Sequence, residues 1–266
     1  MTAMAYEDIR VEVDGAVGSI IIDRGVHRNS LRPQSLGEIA AAVDQLVADG
    51  RVRAIVFRAD GEHFSAGADF AFLGKITKMS AAEIREQVYT YFQGAARRLY
   101  NCPKPVVAAV QGAAITVGCE LSLACDFRIV AQGAFFQESW VKLGILPPLG
   151  GLFLLPRLIG LGRATQMALL GEKVEAEEAK RIGLASEVVP IERLNDRAHE
   201  LARELADMAP MALAAVKRGL RRGLETGMEA EFDANVAAQA MLLSSEDFKE
   251  GLGSVMERRS PVFKGL

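Results

Sequence analysis

Residues 106–126 read VVAAVQGAAITVGCELSLACD: an apolar strand, a turn through Gly112, and a helix that carries one carboxylate, Glu120, in its first turn. Taking that ion out of water without a partner is costly. Set among Ala, Ile, Val, Cys and Leu, Glu120 must be used or hydrogen-bonded. A helix dipole favours an acid near its N-terminus by about 0.3–1 kcal/mol, so a purely structural Glu in a helix starting near Thr116 stays open on this segment alone.

Upstream, HFSAGADF at His63–Phe70 follows the strand-like run RAIVFRA at Arg53–Ala59. Gly61 and Gly67 supply the backbone freedom of a tight loop. The small residues Ser65, Ala66, Gly67 and Ala68 leave backbone N–H groups accessible to a polarised oxygen. The helix N-terminus at Val117 offers the same kind of donor, because its first N–H groups have no partner inside the helix. Two such donors would make an oxyanion hole.

Further segments continue the pattern: RNSL at Arg28–Leu31, KPVVAAVQG at Lys104–Gly112, LGILPPLGG at Leu143–Gly151, LPRLIG at Leu155–Gly160, EAEEAKRIGLASEVVP at Glu175–Pro190 and SSEDFKEGLGSVMERRSPVFKG at Ser244–Gly265. With FSAGADF and GCELSLACD, these resemble the enoyl-CoA hydratase/isomerase, or crotonase, superfamily, in family order over nearly the whole chain. The resemblance implies an α/β fold: a crotonase-like ββα spiral core over residues 1–194, with a C-terminal helical oligomerisation region over 195–266. It implies an enzyme that binds an acyl-CoA thioester and stabilises an enolate, with coenzyme A entering only as part of the substrate and no permanently bound cofactor. By position, the N–H groups of Ala68 and Val117 would hold the thioester oxygen. Ala66 and Ala68, Asp69, Phe70 and Ala71 would line the CoA and acyl path, Arg28 would lie near the CoA phosphates, and Phe263 would help to cover CoA. Glu120 matches the first of two catalytic glutamates of the hydratases. The tail would build a homotrimer, or a dimer of trimers.

The chain departs from the family in two places. The second glutamate lies in a family segment like FGQPEILLG; here FQESWVKLG at Phe136–Gly144 puts Trp140 at its position. Glu138, two residues earlier, would share a face with Trp140 if the segment is extended, which leaves it open as a substitute. Thr116 and Val117 stand where the family prefers Gly-Gly, so Val117 and Trp140 are expected to reshape the acyl pocket. Three readings follow: a slow or specialised hydratase with Glu120 as acid/base, an isomerase or other enolate-forming enzyme in which Glu120 alone moves a proton, and an acyl-CoA-binding paralogue without turnover.

Composition fits a compact enzyme. The chain has 266 residues, half of them hydrophobic, and a formal net charge of -3, which gives no electrostatic footprint for nucleic acid. No run approaches the roughly 18 apolar residues of a membrane span, and a cytoplasmic protein is expected. Cys102, Cys119 and Cys125 lack metal-ligand spacing and are expected to be reduced and buried, with no metal site. His63, Ser65 and Asp69 are crowded onto one loop without a nucleophile elbow, which argues against a triad. Buried strands are expected at Gly18–Asp23, Arg53–Ala59, Val106–Val110, Phe127–Ala131 and Glu187–Val189, and an amphipathic helix at Pro33–Ala48. From Asn195 the pattern is wholly helical, divided at Pro210, and Lys217, Arg218, Arg221 and Arg222 read as a solvated basic face.

Overall fold

The computed structural model describes residues 6–266. Its strands are β1 (Ile9–Asp14), β2 (Val17–Ile22), β3 (Ala54–Ala59), β4 (Val106–Val110), β5 (Ala113–Ile115), β6 (Phe127–Ala131), β7 (Phe135–Gln137), β8 (Lys173–Glu175) and β9 (Glu187–Val189). β4 is buried at all five positions, as an unbroken apolar run in a parallel sheet covered on both faces should be. It lies inside a six-stranded sheet of order β1-β2-β3-β4-β6-β9, parallel except for the β1–β2 hairpin at its edge. A second sheet, β5-β7-β8, is made of three-residue strands.

Helices fill the returns. α1 (Pro33–Ala48) starts with proline in its first turn, where a missing N–H costs nothing, and buries Leu36, Ile39, Val43 and Leu46. After α2 (Phe70–Ile76) and α3 (Ala81–Glu83), α4 (Tyr89–Asn101) packs along α1. α5 (Val117–Leu123) is buried along its whole length. α6 (Gly151–Leu170) changes direction at Gly160, and α7 (Ala176–Arg181) leads to β9. α8 (Leu194–Ala206) lays Leu194, Ala198, Ala202 and Ala206 on the large sheet, and α9 (Pro210–Gly223), α10 (Met228–Leu243) and α11 (Glu246–Glu257) complete the helical C-terminal region. None of the described helices is long and apolar enough to cross a membrane.

The recurring unit is a strand of the large sheet, a tight turn, and a strand of the small one: β4 turns at Gly112 into β5, and β6 turns at Gly133 into β7. Ahead of β5, the loop after β3 takes the same place without becoming a full strand. Ser65 bridges Ala114, which pairs in turn with Phe136. Three residues beyond these partners stand Ala68, Val117 and Ser139. Stacking of successive turns of the spiral therefore brings sequence-distant residues into one row.

The loop is pinned from two sides. Asn29 is buried and its side-chain Nδ2 donates to the carbonyls of Asp60 and His63, both at 2.7 Å. Ser65 Oγ donates to the Asn29 carbonyl at 2.7 Å. On the other side Gly67, at φ +99°, leaves so little room that a Cβ there would lie 2.2 Å from Thr116 Oγ1.

The basic face of α9 is not simply solvated, as its spacing suggested. Lys217 Nζ and Arg221 Nη2 both bind Asp126, at 2.5 and 2.8 Å, and Asp126 also accepts the Val106 N–H at 2.8 Å. The start of β4 thus ties α9 to its own core.

Replacing Gly67 with alanine adds both a clash and a strained φ, and is expected to lower stability by about 2–4 kcal/mol. Urea unfolding measures this, and an unchanged midpoint would show that the loop can move away from Thr116.

Candidate active site

The row of Ala68 and Val117 ends in unused donors. Leu31 donates its N–H to Gly67 and accepts from Asp69, at 2.7 and 3.0 Å; in such a parallel bridge the N–H of the residue between them points away. Among the described residues neither Ala68 N–H nor Val117 N–H has an acceptor. Thr116, just before the helix, holds φ +46° and ψ -107°, a region that strains a branched residue and suits glycine. The backbone turns there so that α5 starts against the loop, at the cost of that strain.

One helical turn beyond Val117, Glu120 has no exposed surface, and its carboxylate is held by three N–H groups. Trp140 Nε1 donates to Oε1 at 3.0 Å, while the Leu149 and Gly151 N–H groups donate to Oε2 at 2.8 and 2.7 Å. Gly151 is needed for this approach, because a Cβ on it would lie 3.0 Å from Oε2. Gly151 also begins α6, so the carboxylate sits at a helix N-terminus where negative charge is favoured. Burial raises the Glu120 pKa to about 7, against the lowering effect of the three donors. A carboxylate has about four lone-pair sites. Three are filled, and one on Oε1 is left for a water or a substrate proton.

Trp140 therefore does more than fill space, although it is almost fully buried. The segment is not extended as far as Trp140, which opens a 3-10 turn (Trp140–Leu143) after Ser139 leaves the strand path at φ -97° and ψ 16°, so a shared strand face does not form; Phe136, Glu138 and Trp140 are nonetheless all buried. Neither Glu138 oxygen has a hydrogen-bond partner. Burial first, and the charge of Glu120 second, push its carboxyl well above the usual range. The Cys119 thiol, also buried, faces it and is itself pushed up by burial.

Placement of the other expected residues varies. Ala66 is fixed by its N–H donating to the Arg28 carbonyl at 3.0 Å, and exposed Arg28 brings Nη2 within 3.4 Å of His63 Nε2. Asp69 caps α2, accepting from the Phe72 N–H at 3.0 Å, and also faces Arg24. Phe70 and Ala71 are exposed on the first turn of α2. Phe263 lies elsewhere: its carbonyl accepts from Arg53 Nη2 at 2.7 Å, at the opposite end of β3 from the loop, and its ring packs on Gly251. Leu149 and Gly151 were not foreseen, since backbone donors leave no mark in residue type; the Gly pair opening α6 was their only trace. Among the described residues no cluster of His, Cys, Asp and Glu could hold a metal ion.

The profile of the enoyl-CoA hydratase/isomerase family matches residues 12–266. A Rhodobacter capsulatus protein named a probable enoyl-CoA hydratase is 36% identical over 262 residues, 98% of this chain and 100% of that protein. The 1,2-epoxyphenylacetyl-CoA isomerase of Escherichia coli is 32% identical over 97% of this chain and 99% of its own. The crystal structure of an enoyl-CoA hydratase from Bacillus anthracis superposes with a TM-score of 0.91 at 32% identity, covering 98% of this chain and 100% of that one. The ββα spiral, the paired free N–H groups and these matches agree: the chain belongs to the enoyl-CoA hydratase/isomerase family.

Proposed function

We propose that the protein hydrates a trans-2-enoyl-CoA through an enolate, with Glu120 as acid/base. The carrying observation is a buried carboxylate with one open lone pair, one helical turn from an N–H that has no acceptor. The thioester carbonyl would accept from the Ala68 and Val117 N–H groups, which makes C3 electrophilic and stabilises the negative charge that develops on oxygen. Glu120 would accept a proton from water as its oxygen attacks C3. Arg28, Ala66 and the stretch Ala68–Ala71 would border CoA.

Trp140 makes the enzyme specialised in this reading. It cannot shuttle a proton, and its ring and the Val117 side chain narrow the acyl site, so a slower reaction on a restricted acyl range follows. An isomerase is the second reading, because a carboxyl titrating near neutrality can by itself move a proton between two carbons, and the E. coli relative is named an isomerase. Residues 195–266 would build the assembly, a homotrimer or a pair of trimers, since Val216, Leu220, Phe232 and Val236 are exposed there on helices α9 and α10.

Glu120→Gln is expected to lower hydration by at least about 10²-fold while leaving thioester affinity nearly intact. Product analysis on a panel of trans-2- and 3-enoyl-CoA thioesters in deuterated water separates the readings. Water addition that needs Glu120 marks the hydratase, double-bond migration alone marks the isomerase, and saturable binding without turnover marks a paralogue.

A base must be ionised, so the rate is expected to rise with pH through about 7. Trp140→Phe removes a donor that favours the ionised form. A hydrogen bond to a charged group is worth about 1.5–3 kcal/mol, so the acid limb should move up by about 1–2 pH units. A pH–rate profile that keeps its limb in place would show that the indole does not hold the working carboxylate.

A further inference from the structure

Glu138 is the buried group that the reaction above leaves unused. Among the described residues, only it and Tyr100 carry buried side-chain oxygens with no hydrogen-bond partner. An orphan of this kind is rare in a folded protein, and a fully buried carboxyl without a cation beside it is tolerated only when neutral. Its position is fixed by the spiral. Phe136, Glu138 and Trp140 are all buried, and the first pairs with Ala114 while the last touches Glu120. Glu138 thus lies between the end of β7 and α5, with Glu120 and Cys119 of α5 as the titratable groups that face it. None of the three residues of β5 is ionisable.

We propose that Glu138 is the second acid of the site, a neutral carboxylic acid that delivers the α-proton to the enolate while Glu120 takes the proton of the attacking water. This rests on the hydratase reading. As water oxygen bonds to C3, its proton passes to Glu120 and the C2=C3 electron pair moves into the thioester, giving an enolate held by the Ala68 and Val117 N–H groups. The enolate pair then forms the C2–H bond with the proton of Glu138, and the C=O is restored. The products are a 3-hydroxyacyl thioester, a protonated Glu120 and an ionised Glu138. One proton moving from Glu120 to Glu138 resets the site, so the sum is addition of H2O. That return is downhill, because an ionised Glu120 is held by three N–H donors whereas an ionised Glu138 would be buried with none. The chain would then keep two carboxyls, with the second displaced two residues from the position that Trp140 occupies.

The test is the pH–rate profile of wild type, Glu138→Gln and Glu138→Asp on an enoyl-CoA that the wild type hydrates, with folding checked by circular dichroism and melting. Glu138→Gln is expected to lower kcat by at least about 10²-fold, with KM changed by less than about threefold. The alkaline limb, where Glu138 ionises, is expected to vanish from its residual activity. Glu138→Asp, which keeps an acid, should recover part of the rate together with the limb. A folded Glu138→Gln protein with wild-type kcat and profile overturns the inference and leaves the hydratase reading standing. A wild type that hydrates nothing overturns both. If Glu138→Gln does not fold, the wild-type profile decides, since a rate that stays flat to alkaline pH also overturns the proposal.

Discussion

The site depends on keeping one carboxylate ionisable inside a dry core. Glu120 has no exposed surface, and burying such a group unpaired would force it to stay protonated. Three N–H donors, one from an indole and two from the opening of α6, offset enough of that penalty to leave it titrating about 7. Among the described residues no cation takes part. A Lys or Arg in their place would drive the pKa far below neutrality and weaken the base, whereas neutral N–H groups hold the ion without quenching it.

Everything else in the fold positions groups around that carboxylate. β4 and β5 set the direction of α5, and the loop 64–68 is pressed onto its start by the Asn29 and Ser65 bonds and by the contact of Gly67 with Thr116. The next turn of the spiral lays Glu138 and Trp140 against the same helix, and the chain returns at Leu149 and Gly151. Donors and acids from four separated segments converge because the spiral repeats its path, so that equivalent places in successive turns are neighbours in space.

Much of this was legible in the sequence, for identifiable reasons. α1 runs over Pro33–Ala48 as read, because proline marks its start and its apolar stripe has a clear helical period. The buried strands β2, β3, β4 and β6 stood out as apolar runs, and short β9 was read from its valine pair just before Pro190. β5, β7 and β8, also of three residues each, did not, since so short a run shows no alternation, and β1, with Arg10, Glu12 and Asp14 along it, looks polar because it forms the sheet edge. Trp140 could be seen to occupy the place of an acid, but its bond to Glu120 depends on how two turns of the spiral stack. Lys217 and Arg221 looked like surface charges because their partner, Asp126, is about 90 residues away in sequence.

Two of the three groups that hold Glu120 belong to the main chain. The Leu149 donor does not depend on which side chain that residue carries, only on the path of the backbone between Gly144 and α6; at Gly151 a Cβ would crowd the carboxylate, and proline is barred from both positions. The side chains of this segment, among them exposed Ile145 and Leu146, are therefore free to drift. The surface of this segment can diversify over evolutionary time while the grip of its backbone on the carboxylate is inherited unchanged.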